Sequence, residues 1–273
     1  MRKYVLLYFM CISIHTKAQI NNIDHFFASS PYAERLFNLF KTKFGLPVDW
    51  DYKTYRDFSS GAVTLGNTTF EFVSFKDVRE TKFQGIALLP RQSVENFTGL
   101  LDEAKVIHDT IESNTYVMQN GNIAGWSNMG LKNILPDGIS LFVYDYKNRE
   151  ELIKGIKKST DSLKLRNGGP LGVVSLKEIV ILSNDFLLHK RELLKLPGVI
   201  LKNDNLFGFK EGASIRLQKS GANGIEKIII KVNSLAKAKN YLDSQNLLGS
   251  YTQTSIFIKP KATEGLIIEL TDQ

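Results

Sequence analysis

Ile23-Asp24-His25-Phe26-Phe27-Ala28 runs into Ser29-Ser30-Pro31 and then into Ala33 through Phe44, where Leu36, Phe37, Leu39, Phe40 and Phe44 fall at helical spacing. The reading is an apolar strand, a polar helix start with Pro in the first turn, and an amphipathic helix stopped by Gly45 and Pro47. The same order returns three times. Further opening strands are Gln84–Leu89, Lys177–Ile181 and Lys227–Val232. The closing strands are Thr69–Val73, Ile139–Tyr144, Ser214–Leu217 and Leu266–Leu270. A supersecondary unit that recurs dictates the architecture. Four βαβββ units of this kind predict an α+β protein whose curved mixed sheets pair around concave pockets. Functional groups are then expected on the inward faces of the first and last strands of each unit.

Within unit one, Ala62–Leu65 and Thr68–Phe75 flank a Gly66-Asn67 turn, after a polar stretch carrying Trp50 and Phe58. Unit two continues with a helix from about Glu95 to Ile107, an Asn120-Gly121 turn, a segment around Trp126 and the strand Ile139–Tyr146. A helical run from about Arg149 to Lys158 and the Asn167-Gly168-Gly169-Pro170 linker follow. Ser183-Asn184-Asp185 and Asn233-Ser234 repeat the polar cap in units three and four. The expected division is a leader over 1–18, a first domain over 19–146, a helical linker over 147–175 and a second domain over 176–273.

The leader reading rests on Arg2-Lys3, an apolar run from Tyr4 to Ile14, and Thr16-Lys17-Ala18. That is the pattern of a secretory signal peptide, too short for a permanent membrane span. It predicts a mature start at Gln19 and a secreted or periplasmic bacterial protein. The only cysteine, Cys11, lies inside the leader, so no disulfide or thiolate ligand is expected in the mature chain. Three of the 35 basic residues also lie there, which lowers the net charge from +7 to +4. The remaining lysines are scattered, with no basic stripe interleaved with aromatics, and nucleic acid is not expected as a partner. The sequence shows no phosphate-cradling glycine loop and no serine–histidine–acid arrangement.

Residues 21–146 resemble the vicinal oxygen chelate superfamily, in particular its glyoxalase-like branch. Ile23–Ala28, the capped helix after it, and Gly66-Asn67-Thr68-Thr69-Phe70-Glu71-Phe72 carry the resemblance. Trp126-Ser127-Asn128-Met129-Gly130-Leu131 and Leu135-Pro136-Asp137-Gly138 add to it. For 176–272 it rests on topology and strand ends. The resemblance implies paired βαβββ units forming half-open barrels. In the metal-dependent members, His or Gln on strand one and Glu on strand four of two paired units hold a divalent ion that polarises vicinal oxygens.

Carried over residue by residue, this pattern gives His25 and Glu71 in unit one, but Gly85 and Phe142 in unit two. Units three and four give Glu178 with Arg216 and Lys227 with Glu269, which read better as ion pairs than as metal ligands. No cofactor is therefore expected, although a divalent metal stays possible at His25 and Glu71, joined by Glu269 if units one and four pair. The expected ligand-binding set is His25, Glu71, Trp126, Phe142 and Tyr144, with Gly85 and Phe142 leaving an apolar and roomy wall. Glu71, between Phe70 and Phe72, points away from both and faces either solvent or a pocket. His108 and His189 are expected on helical surfaces. The leading expectation is a small-molecule binding protein. A lyase, isomerase or dioxygenase using metal at His25 and Glu71 is the alternative, and a non-catalytic interaction module the third.

Overall fold

The computed structural model describes residues 19–117 and 123–273. The expected leader and the Asn120-Gly121 turn lie outside the described residues.

Two eight-stranded sheets are built alike. The first contains β1 (Ile20–Ser29), β2 (Val48–Thr54), β3 (Phe58–Thr64), β4 (Thr69–Phe75), β5 (Lys82–Pro90), β6 (Glu112–Val117), β7 (Ile123–Leu131) and β8 (Ser140–Tyr146). Their order is β2-β3-β4-β1-β5-β8-β7-β6. β1 and β5 pair antiparallel at the centre, and each has the closing strand of its own unit parallel on its outer side.

The second sheet repeats this with β9 (Val173–Ser183), β10 (Ile200–Asn203), β11 (Leu206–Gly208), β12 (Ser214–Lys219), β13 (Gly224–Val232), β14 (Leu248–Tyr251), β15 (Ile256–Ile258) and β16 (Ile267–Thr271). Their order is β10-β11-β12-β9-β13-β16-β15-β14. Unit one therefore pairs with unit two, and three with four. The alternative pairing of units one and four is corrected: Glu269 lies on β16 in the second sheet, where Lys227 binds it at 2.7 Å, and it cannot join His25.

Strand alternation sorts the side chains. Phe26, Phe70, Phe72, Ile86, Leu88, Leu141 and Val143 all go to the convex side and are buried. Phe26 stacks on Phe70 with ring centroids 4.5 Å apart, and Phe40 meets both Phe70 and Phe72 from the covering helix. Each such aromatic carries a large apolar surface out of water, and together they fix which face is core. The opposite, concave face receives the residues between them.

The helices are α1 (Ala33–Asn38), α2 (Val94–Glu103), α3 (Arg149–Leu165), α4 (Phe186–Lys195) and α5 (Leu235–Ser244). Ser93, Asp185 and Ser234 cap α2, α4 and α5 through their side chains. Ser30 acts differently from the expectation: its hydroxyl accepts from the Tyr32 amide, and α1 starts at Ala33 without a side-chain cap. After Asn38 the chain widens to a π-turn over Leu39–Lys43, closed by Phe44 N–H to Leu39 C=O. α2 ends earlier than the apolar periodicity suggests. Lys105 takes φ +56°, and Val106 N–H returns to Leu101 C=O, a helix stop made without glycine.

His108 and His189 also differ from expectation. His108 sits outside any helix, in an isolated bridge with Leu131. His189 is buried in α4, its Nδ1 2.8 Å from the Ser183 hydroxyl.

α3 runs past Lys158 to Leu165 and packs against β2, β3, β8 and β9, so it lies across one end of the first half-barrel. Thr160 donates to Gly66 C=O, and Arg149 binds Asp145 at 3.1 Å. Between the two sheets, the Asn67 side chain donates to Leu176 C=O at 2.9 Å and accepts from Leu176 N–H at 2.8 Å. Gly66 (φ +89°) allows this approach, since a Cβ there would stand 2.3 Å from Val174 O. Among the described residues, no helix is long and apolar enough to cross a membrane.

Candidate functional site

The concave face of the first sheet is set by strand register. Phe27 lies opposite Glu71 on β4, Ala62 on β3 opposite Glu71, and Trp50 on β2 opposite Ala62. On the other side, Tyr144 lies opposite Asn128, Tyr146 opposite Trp126, and Phe142 opposite Gly130. β1 adds one residue against β5 between Ile23 and His25. Such a bulge breaks the alternation locally. It lets two consecutive polar side chains, Asp24 and His25, meet on one side.

His25 Nδ1 is 2.7 Å from Asp24 Oδ2, and the Tyr146 hydroxyl donates to the same Asp24 oxygen at 2.6 Å. His25 Nε2 faces Glu71 Oε2 at 3.8 Å. The Tyr144 ring meets the His25 ring edge-on at 5.0 Å, and Trp50 does so at 6.5 Å. Trp50 Nε1 donates to the Ser60 hydroxyl at 3.1 Å.

The structure thus brings His25, Glu71 and Tyr144 together. Trp126 stacks on Tyr144 at 6.5 Å, one ring further from His25. Phe142 shares the face, paired with Ala87 and Gly130. Asp24, Trp50 and Tyr146 are the members that sequence reasoning missed. Tyr146 carried a signal, since it continues the alternation of Phe142 and Tyr144. Asp24 carried none, because plain alternation sends it to the opposite face.

The roomy wall expected at Gly85 is not there. A Cβ on Gly85 would stand 2.1 Å from Phe27 Cε1, so the Phe27 ring lies directly over this glycine and fills the space. The open volume is elsewhere. A cavity of about 740 Å³ lies at the end of the half-barrel, between the strands and α3. Asp24, Trp50, Thr69 and Tyr146 form part of its wall. Asp24, Trp50 and Thr69 border His25, Thr69 as its cross-strand partner, and Tyr146 reaches it through Asp24. His25 and Glu71 therefore sit one side chain behind the cavity.

Burial alone would lower the His25 pKa, but the hydrogen bond it donates to Asp24 and the charges of Asp24 and Glu71 outweigh it and raise the pKa. Burial raises the Glu71 pKa, over the opposing effects of His25 and the Ser60 hydroxyl. Burial also lifts the Tyr146 hydroxyl well above its usual value. His25 and Glu71 each hold a proton more tightly folded than unfolded. Linkage then makes stability fall as pH rises, from about 4.5 upward for Glu71 and from about 6.5 upward for His25. Glu71→Gln removes the first of these contributions. Its stability measured in urea should decline less between pH 4.5 and 6.5 than the wild type's; an unchanged slope contradicts this account of Glu71.

A divalent ion shared by the two central and two flanking strands would need ligands at His25, Glu71, Gly85 and Phe142. Two of these have none to offer, and Phe27 covers one of the vacant corners. Among the described residues, no cluster of three or more His, Cys, Asp or Glu side chains is suited to hold a metal. The residues present do not fit a complete metal centre. In the second sheet the four corresponding positions close on themselves. Arg216 binds Glu178 through two hydrogen bonds, of 2.6 and 3.0 Å, and Lys227 binds Glu269.

No protein-family model matches the sequence, and no curated protein matches it either. Solved structures do. A hypothetical protein from Staphylococcus aureus superposes with a TM-score of 0.63 at 12% identity, covering 91% of this chain and 98% of that one. The Mn(II)-bound glyoxalase from Novosphingobium aromaticivorans gives 0.56 at 12% identity, covering 93% and 82%. The 2,3-dioxygenase LapB from Pseudomonas sp. KL28 gives 0.58 at 9% identity, covering 93% of each chain. At such identities the likeness establishes the fold.

Proposed function

The chain having the vicinal oxygen chelate fold, we propose that its first half-barrel binds a small molecule without a complete metal site, in a protein exported after loss of residues 1–18. The observation that carries this reading is the continuity of the 740 Å³ cavity with the Asp24–His25–Glu71 chain. Small-molecule sites are concave, of several hundred Å³, with a few convergent polar groups among apolar and aromatic walls. Trp50 and Tyr146 supply flat walls here, and Asp24 supplies an acceptor. His25 orients Asp24 from behind. Glu71 and Asp24 in turn keep His25 protonated over a wider pH range than a free imidazole.

The test is ligand-induced thermal stabilisation, since a ligand selective for the native state stabilises it by mass action. His25→Ala should weaken binding of any stabilising compound by roughly 10- to 100-fold, the scale of one charge-assisted hydrogen-bond network lost beside a ligand. The unliganded melting temperature should fall as well, because Asp24 and Glu71 lose a buried partner, so affinity is compared well below the variant's melting point. Unchanged affinity in His25→Ala would place the site elsewhere.

A second reading keeps metal chemistry at His25 and Glu71. It is favoured by His25 Nε2 facing a carboxylate across two neighbouring strands, with Nδ1 held by Asp24. The likeness to a Mn(II)-bound glyoxalase gives it further support.

A further inference from the structure

We propose that the cavity beneath α3 takes the anionic end of a small organic acid or phosphate ester, whose other end carries a hydroxyl or amine. This rests on the reading that the first half-barrel binds a small molecule, and it names the chemistry that the ligand must have.

The charges lining this cavity are segregated. Lys158 comes from α3, Arg166 from its C-cap and Lys41 from the π-turn after α1. Lys41 is paired with Asp51 at 3.0 Å. Lys158 and Arg166 have no ion-pair partner among the described residues and stand exposed at the rim. Cations at the rim of a low-dielectric cleft focus their field inward and attract anions. The strand side is acidic. Asp49 accepts from Thr69 at 2.8 Å through Oδ2, while its Oδ1 is buried with no hydrogen-bond partner among the described residues. A buried carboxylate oxygen without a donor is disfavoured, and a small turn of the Asp49 side chain that brought this oxygen to a ligand's donor in the cavity would remove that penalty.

Burial raises the Asp49 pKa, against the Thr69 and Ser159 hydroxyls that favour its charged form. Gly155 adds a steric observation. It lies mid-helix, where glycine disfavours helix formation. It lines the cavity, and a Cβ there would meet nothing within 4 Å. A ligand with negative charge at both ends would face Asp49, and an uncharged one would leave Lys158 and Arg166 unused.

The test uses a panel of 2-hydroxy acids, amino acids and hexose 6-phosphates, each beside its neutral amide or free sugar. Thermal shift and calorimetry are read on the wild type, K158E/R166E, K158R/R166K, D49N and His25→Ala. The expected result is at least one anion that binds ten-fold or more tightly than its neutral counterpart. K158E/R166E should lose that binding ten-fold or more, while K158R/R166K keeps it. Asp49→Asn should weaken it only for compounds with a distal hydroxyl or amine. Both cations are exposed, so the reversal should fold, which its unliganded melting temperature verifies; K158Q/R166Q serves in its place if it does not.

Neutral compounds binding as well as anions, with charge reversal silent but His25→Ala weakening them, overturns the anion proposal and leaves the binding reading standing. Anions lost on charge reversal but indifferent to His25→Ala supports this proposal and removes His25 from the site. No binding by any member of the panel overturns both.

Discussion

Replacing Arg216 by Ala should destabilise the protein by about 3–5 kcal/mol, because it leaves a buried carboxylate without its counter-charge. Glu178 is only 5% exposed and takes both of its strong hydrogen bonds from the Arg216 guanidinium. That pairing holds the Arg216 pKa above its ordinary value. The bidentate geometry makes this the strong form of an ion pair. Replacing both residues by apolar ones of similar size should be far milder, since desolvation of a buried pair offsets most of its Coulomb gain. Urea denaturation of Arg216→Ala, Glu178→Leu and Arg216→Met with Glu178→Leu together tests this. A loss below about 1 kcal/mol for Arg216→Ala would mean that solvent screens the pair. The result bears on function. Arg216 and Lys227 are cations built into the positions around which a metal centre would assemble, each already satisfied by a glutamate. In the second half-barrel these four positions form two cross-strand ion pairs.

Gly85→Ala should cost about 2–3 kcal/mol, toward the upper end for overpacking a close-packed site. The added methyl would collide with the Phe27 ring at 2.1 Å, and Phe27 is itself packed at 8% exposure. The two residues are direct cross-strand partners. In a Phe27→Leu background the same change should cost at least 1 kcal/mol less, a coupling expected only of residues in contact. Equal costs in the two backgrounds would show that the ring moves aside freely. The corner at Gly85 would then be open, as the sequence first suggested.

The fold was legible because several signals agreed. Period-two strands such as Phe70–Phe72 and Leu141–Val143, polar caps at Asp185 and Ser234, and the fourfold recurrence of strand, helix and strands all specify one unit. His25 and Glu71 were marked by the resemblance, with Glu71 left between solvent and pocket, and they lie on adjacent strands with Nε2 facing Oε2. What was not legible depends on irregularity or on distance. The extra residue at Asp24 turns a side chain toward the site that alternation would turn away. β2 is polar and lies at the sheet edge, so Val48–Thr54 showed little strand pattern. The cavity exists because α3 docks across the end of the half-barrel, and its amphipathicity says only that one face is covered, not by what. Phe27 over Gly85 is a tertiary contact that residue types at the four ligand positions could not reveal.

The central claim is that His25 and Glu71 serve a small-molecule site and do not complete a metal centre. Titration of Mn(II) and Zn(II) into chelator-treated protein, followed by calorimetry, tests it most directly. Two protein ligands hold a divalent ion poorly against water, where structural and catalytic zinc sites use about three or four. The account predicts weak binding that does not reach one ion per chain at micromolar metal. Stoichiometric binding of either ion at that concentration, abolished by His25→Ala, would contradict it.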